Sequence, residues 1–68
     1  MKSRKLILTS YECRLLKLCS NGKTHQEIAD ELHYSKKTID YQIRSINLKL
    51  EVNSQIDAVT KAHYLGLI

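Results

Sequence analysis

The side chains best suited to binding another molecule are concentrated in residues 36–50. Within that segment Ile39, Ile43, Ile46 and Leu50 recur at i, i+4, i+7 and i+11, the spacing of one buried face of a helix. The opposite face and its flank then carry Lys36, Lys37, Asp40, Tyr41, Arg44 and Ser45. Ammonium, guanidinium and hydroxyl groups donate hydrogen bonds to phosphate oxygens and to base edges. The pattern therefore favours binding to nucleic acid, although a charged outer face is also ordinary for a surface helix.

A shorter amphipathic segment precedes this helix. Ile28, Ala29 and Leu32 form one apolar stripe, and Ser35 then ends one helix and begins the next. Two helices joined by a turn of about three residues, with a small alanine where they cross, predict a helix-turn-helix over about residues 24–50. In this motif the second helix can enter the major groove of double-stranded DNA.

Two sets of DNA contacts are predicted. Arg44 can pair bidentately with guanine, Tyr41 can contact a thymine methyl group or a phosphate, and Lys37 can reach guanine or a phosphate. With Asp40, these residues are the candidates for reading bases. Phosphate is attracted to the first-turn amides of helices, so phosphate candidates gather at the starts of the two motif helices and along the second. They are Lys23, Thr24, His25, Ser35, Lys36, Thr38, Ser45 and Lys49.

Asp40 and Leu48 are the two residues that fit this surface least well. Asp40 can accept a hydrogen bond from cytosine N4. It can instead pair with Arg44, four residues further on in the favourable acid-first orientation, and so aim that side chain, or it can point to solvent. A single exposed leucine such as Leu48 is ordinary, but it can also cover the junction with the next helix or touch a partner subunit. The sequence leaves these alternatives open.

Each predicted helix has a start signal of its own. The four signals, in chain order, are a capping box of Thr9 and Glu12, a second of Thr24 and Glu27, a cap at Ser35, and a cap at Asn53 or Ser54. Gly22 and Gly66 supply two of the stops. We therefore predict an all-α fold of four helices in a single domain of residues 1–68. Its fourth helix covers about residues 54–65, and residues 1–6 form a basic flexible arm.

Composition restricts the class of protein. The 68 residues are 43% hydrophobic and 26% charged, which is ordinary for a small globular domain rather than a disordered chain. A net charge of +4 permits binding to nucleic acid or to an anionic membrane. The apolar runs span only a few residues, so no membrane-spanning segment or signal peptide is predicted. We expect a cytoplasmic protein without membrane contact.

The cysteines and histidines do not form a recognisable reactive set. Cys13 and Cys19 lie six residues apart on one predicted helix and point in different directions, so no disulfide is expected. No Cys-x-x-Cys or His-x-x-x-His spacing suits a zinc site. His25, His33 and His63 have no nucleophile or acid at a recognisable spacing and are read as surface residues. We expect no catalytic residue, no metal and no cofactor, and hence no enzyme.

The fourth helix is apolar on more than one side. Such a helix often serves both its own core and a partner, and paired helix-turn-helix domains read half-sites about one helical turn of DNA apart. A homodimer through this helix is therefore predicted. The candidate contact residues are Ile56, Val59, Ala62 and His63.

The chain resembles the LuxR/GerE-type DNA-binding domain of bacterial transcription regulators. The matching positions span nearly all of it: Leu8, Thr9, Glu12, Leu15, Leu16, Gly22, Glu27, Ile28, Ala29, Leu32, Ser35, Thr38, Ile39, Ile46, Lys49, Leu50, Val52, Asn53, Ala58, Val59, Gly66, Leu67 and Ile68. The resemblance implies a four-helix domain of the winged-helix-like superfamily without the wing. It also implies that the third helix reads DNA, through Asp40, Tyr41 and Arg44, and that the fourth forms dimer contacts.

Four positions depart from the family's usual pattern. Tyr11 replaces a basic residue, Asp40 a Lys, Gln42 a His and Ser54 an Arg. None is a core apolar site, so the fold is expected to survive, with fewer phosphate contacts and an operator of its own. Many members carry this domain behind a phosphorylated receiver or a ligand-binding sensor. The chain is thus expected to be either a stand-alone regulator or the effector domain of a larger response regulator.

A protein-binding function is the alternative. The same motif can dock on RNA polymerase, a sigma factor or another regulator, and Asp40 and Leu48 suit such a role better than they suit DNA. Alanine at Lys37 and Arg44 separates the two functions, because these substitutions abolish DNA binding and spare a protein partner.

Overall fold

The computed structural model describes residues 7–68, which form four α-helices: α1 (Ser10–Ser20), α2 (His25–Leu32), α3 (Lys36–Leu50) and α4 (Gln55–Tyr64). No strand occurs in that part of the chain. The predicted all-α, four-helix fold is confirmed. The basic arm predicted at residues 1–6 lies outside the described residues.

The helix starts follow the capping signals. Both capping boxes form in full, since the Thr9 and Thr24 side chains accept from the amides of Glu12 and Glu27 while each glutamate carboxylate accepts in return. Ser35 caps α3 through the amide of Thr38. Of the two candidates for α4, the cap is Ser54, which accepts from the amide of Asp57.

Two of the helix stops lack glycine. Gly22, just after α1, has a φ of 89°, as expected of a glycine that ends a helix. At the ends of α2 and α3, however, His33 and Glu51 adopt left-handed backbone with φ of 65° and 58°. This conformation is uncommon for residues with a Cβ atom, so the sequence pattern did not predict it. The turn between the motif helices is therefore short and left-handed at its first residue.

One hydrophobic core holds the four helices together, and α3 contacts each of the other three. The predicted apolar stripe of α3 is buried in full, and Ala29 of α2 is completely covered where the motif helices pack. The buried set is Leu8, Leu15, Leu16, Cys19, Ile28, Ala29, Ile39, Ile43, Ile46, Leu50, Ala58 and Ala62. Because one face of α3 is fixed inward, its opposite face must point to solvent.

Polar contacts between helices fix α3 further. Lys49 donates to both carboxylate oxygens of Glu12, at 3.0 and 2.8 Å, and so ties the end of α3 to the start of α1. Lys61 of α4 donates to the carbonyl oxygen of Leu50 at 2.8 Å and thereby satisfies one of the free acceptors at the end of α3. Between residues 7 and 68, no helix is both long enough and apolar enough to cross a membrane.

Candidate nucleic-acid interface

The outer face of α3 presents the side chains that the helical spacing placed there. Lys37, Tyr41 and Arg44 are exposed, with Tyr41 72% accessible, and Ser45 is half-buried. The side chains of Lys37 and Arg44 make no ion pair or hydrogen bond with another residue in the described range. Their charges are therefore available to an anionic ligand without breaking an internal contact.

The four base-reading candidates line one surface hollow. Lys37, Asp40, Tyr41 and Arg44 surround a depression of about 310 Å³ on α3. Two cations, a phenol and a carboxylate thus converge on one space, which at about 310 Å³ is at the lower end of the volumes of small-molecule sites. Donors that can pair with guanine and an acceptor that can pair with cytosine lie side by side in it.

Asp40 pairs with residues other than the one considered from the sequence. Its Oδ1 lies 2.6 Å from His25 Nδ1, and its Oδ2 accepts from Lys36 Nζ at 3.1 Å. Hydrogen bonds from His25 and then Lys36 lower the pKa of the Asp40 carboxyl. The carboxylate therefore stays ionised at neutral pH. Of the alternatives that the sequence left open for Asp40, pairing with Arg44 does not occur in the structure, where both carboxylate oxygens have other partners.

The sequence suggested that His25 is a surface histidine, but in the structure its side chain is largely covered and bonded to other helices. Its Nδ1 faces Asp40 of α3, its Nε2 lies 2.5 Å from Gln55 Oε1 of α4, and its side chain is only 26% accessible. The ring thus connects the first turn of α2 with α3 and with the first turn of α4. His25 does have an acidic neighbour, but at 15 residues' separation, which no short motif reveals. Both ring nitrogens are occupied, so a phosphate contact from this side chain requires an exchange of partners.

Most of the other phosphate candidates also have internal partners. Lys23 lies 3.6 Å from Glu31, Lys36 pairs with Asp40, and Lys49 is held by Glu12. Lys49, which was predicted as a phosphate candidate, thus ties α3 to α1 in this structure. Three of the four hydroxyl candidates, Thr24, Ser35 and Thr38, are engaged in helix caps.

The dimer candidates on α4 separate into exposed and buried residues. Ile56 is 76% accessible, His63 is exposed and Val59 is partly buried against the core. Ala62, in contrast, is fully buried, so its place among the predicted dimer contacts is wrong. The adjacent Tyr64 is 88% accessible. The helical spacing of α4 did not predict that Tyr64 is exposed, because Tyr64 comes directly after His63 in the chain and is not one of the residues on the predicted contact side.

Leu48 lies beside a second, larger hollow. It is 74% accessible and borders a space of about 470 Å³ between α3 and the start of α4, which His25, Arg44 and Gln55 also line. Leu48 therefore remains uncovered by the other described residues, including those of α4. The sequence left two structural alternatives for Leu48, which were covering the junction with α4 and touching a partner subunit. Its exposure excludes the first.

The fold and this face together define the class of protein: a helix-turn-helix domain whose second helix turns basic and hydrogen-bonding groups outward. Residues 6–62 match the family described as bacterial regulatory proteins, luxR family. The chain belongs to this family, as the resemblance of its sequence had suggested.

Several curated relatives cover most of the chain. It is 45% identical over 62 residues to the transcriptional regulatory protein ComA of Bacillus subtilis (strain 168), which covers 91% of this chain and 29% of that protein. It is 38% identical over 60 residues to the uncharacterized response regulatory protein YgeK of Escherichia coli (strain K12), covering 88% and 41%. It is 36% identical over 62 residues to the transcriptional activator protein SolR of Ralstonia solanacearum, which covers 91% of this chain and 26% of that protein.

The chain thus spans less than half the length of each of these relatives. All three are named as regulatory or activator proteins. No solved structure matches the chain.

Proposed function

We propose that this chain is a sequence-specific, double-stranded-DNA-binding domain of a transcription regulator, and that α3 enters the major groove. The observation that carries the proposal is the hollow on α3, where four side chains able to pair with base edges converge opposite the core stripe. A helix with its apolar face fixed inward can approach bases only with this face.

Base reading is assigned by hydrogen-bonding chemistry. Arg44, which is free of internal partners, is suited to the O6 and N7 acceptors of guanine. Tyr41 can contact the methyl group of thymine, and Asp40 can accept from cytosine N4 with its remaining lone pairs. Lys37 can contribute either to guanine or to a neighbouring phosphate.

Phosphate binding is assigned to the N-terminal ends of α2 and α3. The amides of the first turn of a helix carry partial positive charge toward an anion, and Thr24 and Ser35 cap these two ends. Lys23, Lys36 and Lys49 can add charge after exchanging an acidic partner for phosphate, while Ser45 can donate without such an exchange. Non-specific affinity should therefore be modest.

A homodimer through α4 completes the proposal. Ile56, Val59 and His63 share one side of α4, and the 76% accessible Ile56 is an apolar side chain that a second copy would cover. Two copies related by a two-fold axis would place their α3 helices in successive major grooves. Action on chromosomal DNA would take place in the cytoplasm, and contact with RNA polymerase would follow from an activating role like that named for the relative SolR.

A protein-binding module is the second candidate function. The exposed Leu48, beside the hollow between α3 and α4, favours it, because an uncovered apolar side chain next to a concave surface suits a partner helix. RNA polymerase, a sigma factor or another regulator would be the partner. Under this alternative Lys37 and Arg44 are dispensable.

The test is selection from a random duplex pool followed by affinity measurements at several salt concentrations. An enriched motif with dyad symmetry, bound about a thousandfold more tightly than random duplex, is expected. Lys37→Ala and Arg44→Ala should each weaken binding, and each should lower the slope of affinity against salt by about one if it removes a phosphate contact. Lys17→Ala, which removes the same charge from α1, is the matched control. Binding without any enriched sequence would overturn the proposal.

A further inference from the structure

We infer that His25, which lies outside the recognition helix, is a positioning residue for base reading: it holds the Asp40 carboxylate away from Arg44 and so leaves Arg44 free for guanine. The inference rests on the proposed function, and it adds a residue of α2 to the determinants of DNA sequence preference. It also gives Gln55 of α4 a role, because that side chain fixes the other nitrogen of the ring.

The spacing of α3 by itself favours a different arrangement. An acid followed four residues later by a base forms a stabilising pair on an isolated helix, and Asp40 and Arg44 have this spacing. Such a pair would occupy the guanidinium that is needed for bidentate recognition of guanine. In the free protein, therefore, Asp40 would compete with DNA for Arg44.

The packing of α2 and α4 prevents this competition. His25 Nδ1 lies 2.6 Å from Asp40 Oδ1, and Lys36 Nζ takes Oδ2 at 3.1 Å. Because a carboxylate can only accept, the His25 nitrogen facing it must be the donor. The side-chain amide of Gln55 lies 2.5 Å from Nε2, and with the amide turned so that its NH2 group faces the ring it donates to this nitrogen and keeps the ring in this orientation. The guanidinium of Arg44 has no hydrogen-bond or ion-pair partner among residues 7–68.

The decisive variants are His25→Ala, Asp40→Ala and the two combined. We expect His25→Ala to let Asp40 turn to Arg44, and discrimination in favour of guanine at the Arg44 position to fall roughly tenfold. Asp40→Ala alone should keep that discrimination, although it loses any preference for cytosine at its own position. The double variant should recover the discrimination, because the competing carboxylate is gone.

Two further variants distinguish positioning from a general loss of structure. His25→Asn retains a side-chain amide donor close to the place of Nδ1, so it should keep most of the guanine preference. Gln26→Ala is the matched control, since Gln26 is the next residue of the same turn and bonds only to Asp30 within α2. Thermal unfolding by circular dichroism shows whether each variant is folded at the assay temperature.

The same competition is measurable without DNA. In the free protein, the Nε–Hε NMR signal of Arg44 should exchange with solvent more slowly in His25→Ala than in wild type, and in the double variant it should return to the wild-type rate. An unchanged Arg44 signal in His25→Ala would overturn the inference whatever the DNA result. A folded double variant that fails to recover guanine preference would overturn it as well, by showing that His25 acts through structure. If the NMR result holds but wild type selects no motif, the proposed function fails instead, and the assigned reading role falls with it.

Discussion

The hydroxyl of Tyr11 donates a hydrogen bond to Oε1 of Gln42 over 2.6 Å and so ties α1 to the middle of α3. Both residues depart from the usual pattern of the family, in which a basic residue stands at the position of Tyr11 and a histidine at that of Gln42. The two departures therefore contact each other. Burial, and then the neighbouring Tyr34, raises the pKa of the Tyr11 phenol, which therefore stays protonated and able to donate. The ring of Tyr34 packs edge-on against that of Tyr11, with centroids 6.3 Å apart.

Tyr11→Phe tests what this contact contributes. The substitution keeps the ring and removes the donor, so Gln42 loses its partner and the free energy of unfolding should fall by about 1 kcal/mol. Urea denaturation measures the change. Tyr64→Phe is the control, because the hydroxyl of a side chain 88% exposed should contribute little. Equal stability of the two variants would mean that water replaces Gln42 without cost.

The pair of Glu12 and Lys49 predicts a stability that depends on pH. Burial of the Glu12 carboxyl opposes ionisation, but hydrogen bonds from Lys49 and Thr9 outweigh it and hold the pKa below the usual 4.5. A carboxyl whose pKa is lowered by folding stabilises the fold above its unfolded pKa, and this stabilisation is lost as the pH falls through the folded pKa. Glu12→Gln should therefore lose roughly 0.5–1 kcal/mol at neutral pH, and its difference from wild type should vanish once the pH has fallen below the lowered pKa of the folded state.

Urea denaturation of both proteins across the acidic range makes this measurement. Glu31→Gln is the control, since Glu31 is 42% accessible and lies 3.6 Å from Lys23, and little change is expected. A deficit of Glu12→Gln that persists unchanged at low pH would show that the carboxylate charge is not its cause.

The separation of α4 into exposed and buried sides predicts opposite effects at Ile56 and Ala62. Ile56→Glu places a charge in solvent, so the fold should persist while a dimer formed through α4 dissociates. Ala62→Glu buries an unpaired charge and should prevent folding. Sedimentation equilibrium and circular dichroism read the two outcomes, with the exposed Thr60→Glu as control. A dimer that survives Ile56→Glu would have to use another surface.

The two free cysteines should differ in reactivity toward alkylating reagents. Burial raises the pKa of the Cys19 thiol to about 11, while burial and then the charge of Glu12 raise that of the more accessible Cys13. Since the thiolate is the nucleophile, Cys13 should be modified first near pH 8, and Cys19 only as the protein unfolds. Mass spectrometry after timed exposure to iodoacetamide measures both rates. Equal rates for both thiols would mean that the core around Cys19 opens readily.

The sequence by itself determined the helices and the inward face of each. Capping boxes at Thr9 and Thr24 and the apolar spacing of α3 involve residues within a few positions of one another, so short-range geometry fixes them. The same spacing, together with the stretch of residues that resembles a known family, indicated which face of α3 carries base-reading candidates. These features do not depend on how the helices are arranged in space.

The tertiary structure decided which of those candidates are free. His25 and Asp40 are 15 residues apart, His25 and Gln55 are 30 apart, and Glu12 and Lys49 are 37 apart. Only the packing of α1, α2 and α4 around α3 brings such pairs within hydrogen-bonding distance. That packing turned Lys49 into a structural tie, buried Ala62 and held Asp40 away from Arg44. The local sequence pattern determines the direction in which a side chain points. The interaction partner of that side chain depends on how the helices cross, which many apolar residues distant in sequence determine together.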